Sequence, residues 1–412
     1  MMTDVLYFDR TREIDKKSLL KPYLVVAFLT LSPIISYLSD LGLPSVANYV
    51  LIFLILYVPL VIGLLRGTIK ISFLCFSVFL LSLIYVLINK HQQLEFEAVY
   101  NSVTNGIDAR ILTFTSSIFA MLFFGINYSD FELKLGIKIA GFVNLAICFV
   151  RFFLITIRGT EFLLYGYDMN FGYTLLFSTL VFLALFILER KKLHLFLSIS
   201  SFLFVLLFGS RGPILCVIIF LALYLVVYLI NENNVRKKQK VLFCTIFVLI
   251  VLILAYFIIA SLDLSRFPRS IQYIFRSGYF STASDSGRQI IYKDLSHYLE
   301  DLPFFGYGLL SDQGFLGVGK YSHNFFIEMT MTFGKIPAII MLSVFFLITL
   351  RIIFYKKTSI NKKIFFLVFW SFSIGRLLVS NSFWYETYFW CCLALGIVLL
   401  SKRGASINER IK

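Results

Sequence analysis

Charged residues are scarce in this chain of 412 residues. Asp, Glu, Lys and Arg make up 15% of the sequence, whereas soluble domains carry about a quarter. Hydrophobic residues reach 59% and the mean hydropathy is +0.86. Such a composition cannot cover a water-exposed surface, so lipid must surround most of the chain. We therefore expect one transmembrane domain over residues 1–412 and no separate soluble domain.

Several motifs of soluble enzymes are also missing. The sequence contains no HExxH, DxD or GxSxG pattern, and its six cysteines lie inside apolar runs without metal-ligand spacing to histidine. Gly314, Gly319 and Lys320 have the spacing of a Walker loop, but Tyr321 stands where Ser or Thr is required. We therefore expect no metal, no cofactor and no nucleotide-driven transport.

The basic residues indicate a membrane topology. The net charge of +15 comes from short clusters between apolar runs, which is typical of topology signals and argues against nucleic acid as a partner. Most clusters fall in alternate loops, which predicts that both termini are cytoplasmic. The apolar runs predict about 12 transmembrane helices in an all-α polytopic membrane protein, near 22–38, 46–65, 70–89, 110–127, 136–156, 171–189, 193–209, 213–231, 241–261, 335–355, 364–380 and 385–401.

One long loop, 262–321, separates the ninth and tenth spans and must lie outside by alternation. It contains several arginines, which the topology rule permits on the outer side when a loop is long. For Arg266 and Arg269 the simpler interpretation is that they keep the loop soluble. It is also too apolar for a free tether. The stretch from Arg288 to Leu299 fits an amphipathic helix, Pro303 stops it, and Gly306-Tyr307-Gly308 reads as a turn. We expect short helices covering the outer mouth of the bundle.

Two arginines in tight local settings could bind an anion. Arg211 lies in the short outer turn Gly209 to Pro213, where a guanidinium is costly unless an anion offsets its charge. The same residue could equally reach lipid headgroups. Arg288 opens the loop helix and could point inward, although a solvated loop arginine is the simpler interpretation of that residue alone.

His323 is the main candidate for proton transfer, since its ordinary pKa of about 6.5 lets it accept a proton at neutral pH. A structural histidine at a helix start is the alternative, because Asn324 is itself a good cap. His297 on the loop helix is a second choice of base. Arg376 lies inside an apolar span and either pairs with Glu386 or serves function. The secondary site candidates are Arg276, Arg376, Tyr292 and Asn324.

These residues resemble the motifs of the O-antigen ligase/polymerase superfamily, the membrane glycosyltransferases of bacterial surface polysaccharides. The similar features are Ser210-Arg211-Gly212, Gly287-Arg288, Pro303-Phe304-Phe305-Gly306-Tyr307-Gly308, and His323-Asn324 with nine residues before Gly334. They occupy about residues 200–340. The family's last glycine is Pro337 here, which should alter only the start of the tenth span.

The resemblance implies a C-type, metal-independent and inverting glycosyl transfer from undecaprenyl pyrophosphate. Arg211 and Arg288 would bind the diphosphate, and His323 would be the general base. It implies a bacterial inner-membrane protein with a periplasmic active site, and a flippase and a chain-length regulator as partners beside the lipid-linked oligosaccharide. We expect a Wzy-type polymerase; the alternatives are an O-antigen ligase acting on lipid A core and a lipid-linked oligosaccharide flippase or transporter. No internal repeat is visible, which disfavours the transporter.

Overall fold

A computed structural model describes residues 19–40, 45–92, 117–158, 169–208, 211–243, 288–317, 321–356, 358–379 and 381–401. Within these ranges the fold is built from helices, and the one β-type pairing is an isolated bridge between Ile71 and Ile126. The loop segment 262–287, which includes the candidate Arg276, lies outside the described residues. So does the predicted span 241–261, apart from its first three residues.

Apart from the run at 110–127, the described helices of the first half follow the apolar runs closely. We number them α1 to α8, with a π-helical segment, Phe53–Tyr57, joining α2 to α3. Their bounds are α1 Leu20–Asp40, α2 Ser45–Ile52, α3 Val58–Leu65, α4 Phe73–Gln92, α5 Ala120–Phe124, α6 Asp130–Arg158, α7 Met169–Glu189 and α8 Lys192–Phe208.

Among the described residues of the second half, the numbered helices are one long helix, three short helices and then three long helices. Their bounds are α9 Arg211–Asn231, α10 Arg288–Glu300, α11 Ser311–Leu316, α12 Phe325–Phe333, α13 Lys335–Phe354, α14 Ile360–Leu377 and α15 Thr387–Ser401. The helix predicted from Arg288 is present as α10, and it ends before Pro303 as expected for a residue that cannot continue a helix.

Helix α14 forms the centre of the bundle. Nearly all of its side chains are buried, and it packs against α6, α7, α9 and α15. Gly375 allows α9 to approach, because a Cβ at this position would lie 2.4 Å from the Cys216 Sγ atom. The central position of α14 means that charged residues near its ends, such as Lys363 and Arg376, are held inside the protein rather than in lipid.

Ion pairs mark one end of the bundle. Lys134 near the start of α6 pairs with Glu189 at the end of α7 at 2.9 Å, and Lys362 of α14 pairs with Asp130 of α6 at 2.8 Å. Helices α6 and α14 therefore begin at this end, and α7 ends there. The residues discussed below lie at the opposite end.

The helices are consistent with a multi-pass membrane protein. Among the described residues, four are long and apolar enough to cross a membrane, namely Asp130–Phe153, Phe171–Glu189, Gly212–Asn231 and Lys335–Phe354. Five further apolar helices are shorter, and they include α4, α8 and α15. The predicted total of about 12 spans and the predicted orientation stay predictions.

The predicted span 110–127 is not one continuous helix in its described part. Helix α5 has only five residues and ends at Gly125, whose carbonyl accepts a hydrogen bond from the Ser72 amide at 2.8 Å. A Cβ at Gly125 would lie 2.7 Å from the Cys75 Cβ atom. The backbone here docks on the start of α4, so tertiary contact interrupts a helix that the apolar run alone would continue.

Candidate active site

Two glycine-containing motifs meet through their backbones. The Tyr307 amide donates to the Met331 carbonyl at 2.7 Å, and the Gly308 amide donates to the Thr332 carbonyl at 3.2 Å. Gly334 has a φ of +88°, and a Cβ there would lie 1.9 Å from the Phe304 carbonyl oxygen. The turn 303–308 therefore packs on the end of α12 more closely than any side chain would allow.

His323 lies at the other end of α12, as the residue just before the N-cap Asn324. His323 has a φ of +50°, in the left-handed region that few non-glycine residues occupy. Asn324 is the N-cap, and its Oδ1 atom accepts from the Phe326 amide at 3.0 Å and the Ile327 amide at 3.4 Å. His323 is half-buried, with its ring centroid 3.7 Å from that of Tyr321.

A buried carboxylate holds the turn that contains His323. The Ser322 amide donates to the Asp312 Oδ2 atom at 2.9 Å, and Asp312 is 1% exposed in α11. Burial raises the pKa of Asp312 above its ordinary value, while the hydrogen bond from Ser322 opposes that rise. A left-handed residue is costly unless its surroundings fix it, and this bond is one such constraint on His323.

Glu328 ties α12 to the segment between α14 and α15. Its two carboxylate oxygens accept from the Ser382 hydroxyl and, at 3.1 Å, from the Phe383 amide. Phe325 adds an edge contact to the Phe383 ring, with the centroids 6.0 Å apart. Glu328 is therefore engaged away from His323 in a structural link, and no catalytic role follows from these contacts.

Arg376 forms the expected pair with Glu386. Its Nη1 atom lies 3.3 Å from the Glu386 Oε2 atom, and its Cζ atom lies 4.6 Å from the centroid of the Tyr173 ring. The Asn381 amide side chain donates to the same carboxylate at 2.8 Å. The Arg376 guanidinium thus has an ionic partner in Glu386 and an aromatic ring beside it in Tyr173.

The backbone of Arg211 reaches the same place. Arg211 is the first residue of α9, and a Cβ on the following Gly212 would lie 2.1 Å from the Tyr173 hydroxyl and 2.9 Å from Val379. The Ser-Arg-Gly motif therefore starts its helix directly against the residue that flanks Arg376. The Arg211 side chain and residues 209–210 lie outside what the structure describes.

Arg288 opens α10, and the contacts of that helix lead toward His323. Leu295 is buried, the Tyr298 ring stacks on Phe315 of α11 at 3.9 Å, and the Tyr307 hydroxyl donates to the Tyr298 carbonyl at 3.2 Å. Helix α11 also carries Asp312. Tyr292 is half-buried on α10, and the Arg288 side chain lies outside the described atoms.

Contacts therefore link the two helices that begin at Arg211 and Arg288 to the turn that contains His323. The His323 turn connects through α12 and Glu328 to segment 381–386, and from there through Arg376 and Tyr173 to the start of α9 at Arg211. Helix α10 connects to the His323 turn through α11. His297, the second choice of base, is exposed on α10, and His194 is buried beside Glu189 at the other end of the bundle.

A cavity of about 280 Å³ opens at this end, between α1, α6, α7, α14 and α15. Its charged lining residues are Arg151, Arg376 and Glu386. Sequence reasoning missed Arg151, as it missed Asp312. Arg151 does carry a signal, because it is a charged residue within an apolar run, whereas Asp312 sits in a polar loop where a carboxylate has no distinguishing pattern.

One family model matches part of the chain. Residues 195–343 match Wzy_C, described as O-antigen ligase. This segment is similar to the O-antigen ligase family. The match bears out the predicted superfamily resemblance, and the matched segment includes Arg211, Arg288 and His323. The match supports a multi-pass membrane protein of the glycan-transferring ligase or polymerase kind. No curated protein and no solved structure gives a significant match.

Proposed function

We propose that this protein is a polysaccharide polymerase of the bacterial inner membrane. It transfers a growing glycan from undecaprenyl pyrophosphate onto the next lipid-linked repeat unit, at the periplasmic face. The observation that carries the proposal is that the segment similar to the O-antigen ligase family contains Arg211, Arg288 and His323, and that packing contacts link the helices that begin at the two arginines to the His323 turn.

His323 is assigned as the general base. Its imidazole takes the proton of the acceptor hydroxyl as that oxygen attacks the anomeric carbon of the donor sugar. The bond from this carbon to the phosphate oxygen breaks, and undecaprenyl pyrophosphate leaves with the bonding electron pair. Direct attack from the opposite face inverts the configuration at the carbon. The turn held by Asp312 and Asn324 keeps the imidazole at a fixed place above α12.

Arg211 and Arg288 are assigned to the diphosphate. Each guanidinium presents a planar set of donors that matches phosphate oxygens. The negative charge on the bridging oxygen grows as the bond to the sugar breaks, so cations fixed nearby stabilise the transition state more than the ground state. Both residues begin helices, where exposed backbone amides add to the attraction for an anion.

An O-antigen ligase is the second candidate, because the matched family carries that description. Its donor would be the same, but its acceptor would be the lipid A core. A flippase or transporter would also need cations for the diphosphate, but it would need no base. A flippase and a chain-length regulator remain proposed partners of the polymerase rather than its function.

Turnover by purified protein tests the proposal. The protein in lipid nanodiscs is incubated with lipid-linked repeat units, and product length is followed on gels. We expect His323→Ala to elongate at least about a hundredfold more slowly than wild type, because a general base contributes about 10²–10⁴. His297→Ala is the matched control, since this histidine is exposed on α10. Equal rates for wild type and His323→Ala would sink the enzyme proposal.

A deletion strain separates the two enzymes. Loss of a polymerase leaves lipopolysaccharide with core plus one repeat unit, whereas loss of a ligase leaves bare core. We expect core plus one repeat, restored to long chains by the wild-type gene and not by the His323→Ala form.

A further inference from the structure

The cavity between α1, α6, α7, α14 and α15 contains features that the proposed reaction does not use. We call it the arginine cavity, because Arg151 and Arg376 line it from α6 and α14. Its volume of about 280 Å³ is close to the lower bound of small-ligand sites, about 300 Å³. A long lipid tail needs a longer apolar groove, so the size favours a small polar group.

Aromatic rings form much of the cavity wall. Tyr173, Phe372 and Tyr388 line it, and the rings of Phe372 and Tyr388 lie with their centroids 4.0 Å apart. Phe28 and Phe171 add further apolar surface. Rings of this kind pack against the C–H faces of a sugar, while nearby polar groups bind its hydroxyls and fix its orientation.

In the pair formed by Arg376 and Glu386, the group accessible to a ligand is the guanidinium and not the carboxylate. The Arg376 side chain is 20% exposed, whereas the Glu386 side chain is fully buried. The Glu386 oxygens already accept from Asn381 at 2.8 Å and from the Tyr388 amide at 3.2 Å, besides pairing with Arg376. Glu386 thus acts as the support of Arg376.

Arg151 lines the cavity from a different helix. The described lining therefore carries two guanidinium groups and one carboxylate, whose oxygens are engaged by its neighbours. A carboxylate can accept two parallel hydrogen bonds from one guanidinium, which a neutral hydroxyl cannot match. The combination of aromatic wall and guanidinium groups suits a sugar that bears a carboxylate.

We propose that the arginine cavity is a subsite for an acidic sugar residue, a hexuronate, of the acceptor glycan. The naming of the glycan as its source rests on the proposed function. The contacts of Tyr173 with Gly212 and Arg376 place the subsite beside the start of α9, so a bound sugar would lie next to Arg211.

Binding of defined disaccharides tests the subsite without any turnover. The probes are digalacturonate, its neutral dimethyl ester and inorganic pyrophosphate, titrated by calorimetry into purified full-length protein in nanodiscs. We expect wild type to bind digalacturonate at least about tenfold more tightly than the ester, because a charged hydrogen-bonded pair is lost in the ester. Equal affinity for the acid and the ester would overturn the proposal.

Variants then locate the site. Arg151→Gln should weaken digalacturonate binding at least about tenfold, and Arg151→Lys should weaken it less, since the charge stays while the planar fork is lost. Arg351→Gln is the matched control, because Arg351 lies in the last turn of α13 and does not line the cavity; this variant should bind as wild type does. Should Arg151→Gln fail to fold, Arg151→Lys and the comparison of acid with ester still decide the outcome.

Two results would contradict the proposal in different ways. Unchanged digalacturonate binding by both Arg151 variants would place the acid elsewhere. Loss of pyrophosphate binding in Arg151→Gln, with digalacturonate binding intact, would make the cavity part of the carrier's diphosphate site. The His323→Ala protein should bind digalacturonate normally, so failure of the subsite and failure of the enzyme proposal give different results.

Discussion

At the scale of single residues, Gly334 shows how a motif glycine can be a packing requirement. It has φ +88° and ψ 162°, a region almost confined to glycine, and its missing Cβ leaves room for the Phe304 carbonyl oxygen. Gly317 has nearly the same backbone, φ +86° and ψ 177°, but no described atom beyond its chain neighbours lies within 4 Å of where a Cβ would stand. The two glycines separate backbone strain from steric contact.

We expect Gly334→Ala to lower the free energy of unfolding by about 1–3 kcal/mol more than Gly317→Ala does. Both variants bear the strain of the backbone, but only the first must also push the turn 303–308 away from α12. The midpoint of thermal unfolding in nanodiscs, followed by tryptophan fluorescence, measures the difference. Equal losses in the two variants would show that the close contact has no energetic weight.

Asp312 gives a prediction about pH. Burial raises its folded-state pKa above the value of about 3.9 in an unfolded chain, so the folded state holds the proton more tightly. Its contribution to stability is therefore most favourable at low pH and falls as pH rises from about 4 through the folded-state pKa. Buried Glu328 has a pKa raised by burial and by the Asp312 charge, with the same sign.

The variant Asp312→Asn removes this titration while keeping an oxygen that accepts from the Ser322 amide. We expect the stability of the variant relative to wild type to increase as pH rises from 4, and to level off above the folded-state pKa. Unfolding midpoints of both proteins across pH 4–8 give the comparison. A difference that is constant, or that declines with pH, contradicts burial as the main influence on this carboxyl group.

At the scale of elements, Asn324 can act as a helix cap or as a site residue. Its side chain accepts from two amides of the first turn of α12, and removing a cap costs about 1 kcal/mol. We expect Asn324→Ala to lower the unfolding midpoint and Asn324→Asp to keep it, since Asp caps equally well. Elongation rates of the two variants complete the test: if Asp keeps stability but loses activity, the amide also contacts the substrate.

The sequence predicts most helices of the described chain well and their contacts poorly. Apolar length suffices to place α6, α7 and α9, because a lipid-facing helix must continue across the hydrocarbon. The end of α5 at Gly125 was not predictable, because it depends on a contact with α4 from a distant part of the sequence.

The same difference between local patterns and long-range contacts applies to the candidate site. Local patterns suffice for the start of α10 at Arg288 and for the Asn324 cap, and the Arg376–Glu386 pair is separated by one short turn. The anchoring of the His323 turn by Asp312 and the link from Glu328 to Phe383 join residues on separate helices. No spacing rule reports such contacts, so the sequence shows candidate groups while the fold decides which of them meet.

At the scale of the whole molecule, the proposed reaction depends on which membrane face carries the site. The basic clusters predict that α10 and its neighbours face outward, where the lipid-linked glycan itself must supply the energy because ATP is absent. Asp301 is exposed just after α10, and Lys237 is exposed in the helical stretch 235–243 that follows α9. The topology rule puts these two positions on opposite faces.

Single cysteines at these positions test the orientation. The described native cysteines are free and buried, so an impermeant maleimide should not reach them, and Cys244→Ser removes the sixth. In intact spheroplasts we expect Asp301→Cys to be labelled and Lys237→Cys to be labelled only after the membrane is broken. The reverse pattern would put His323 and the arginine cavity in the cytoplasm. The positive-inside interpretation and the polymerase proposal would then fail together, because both depend on one orientation of the same helices.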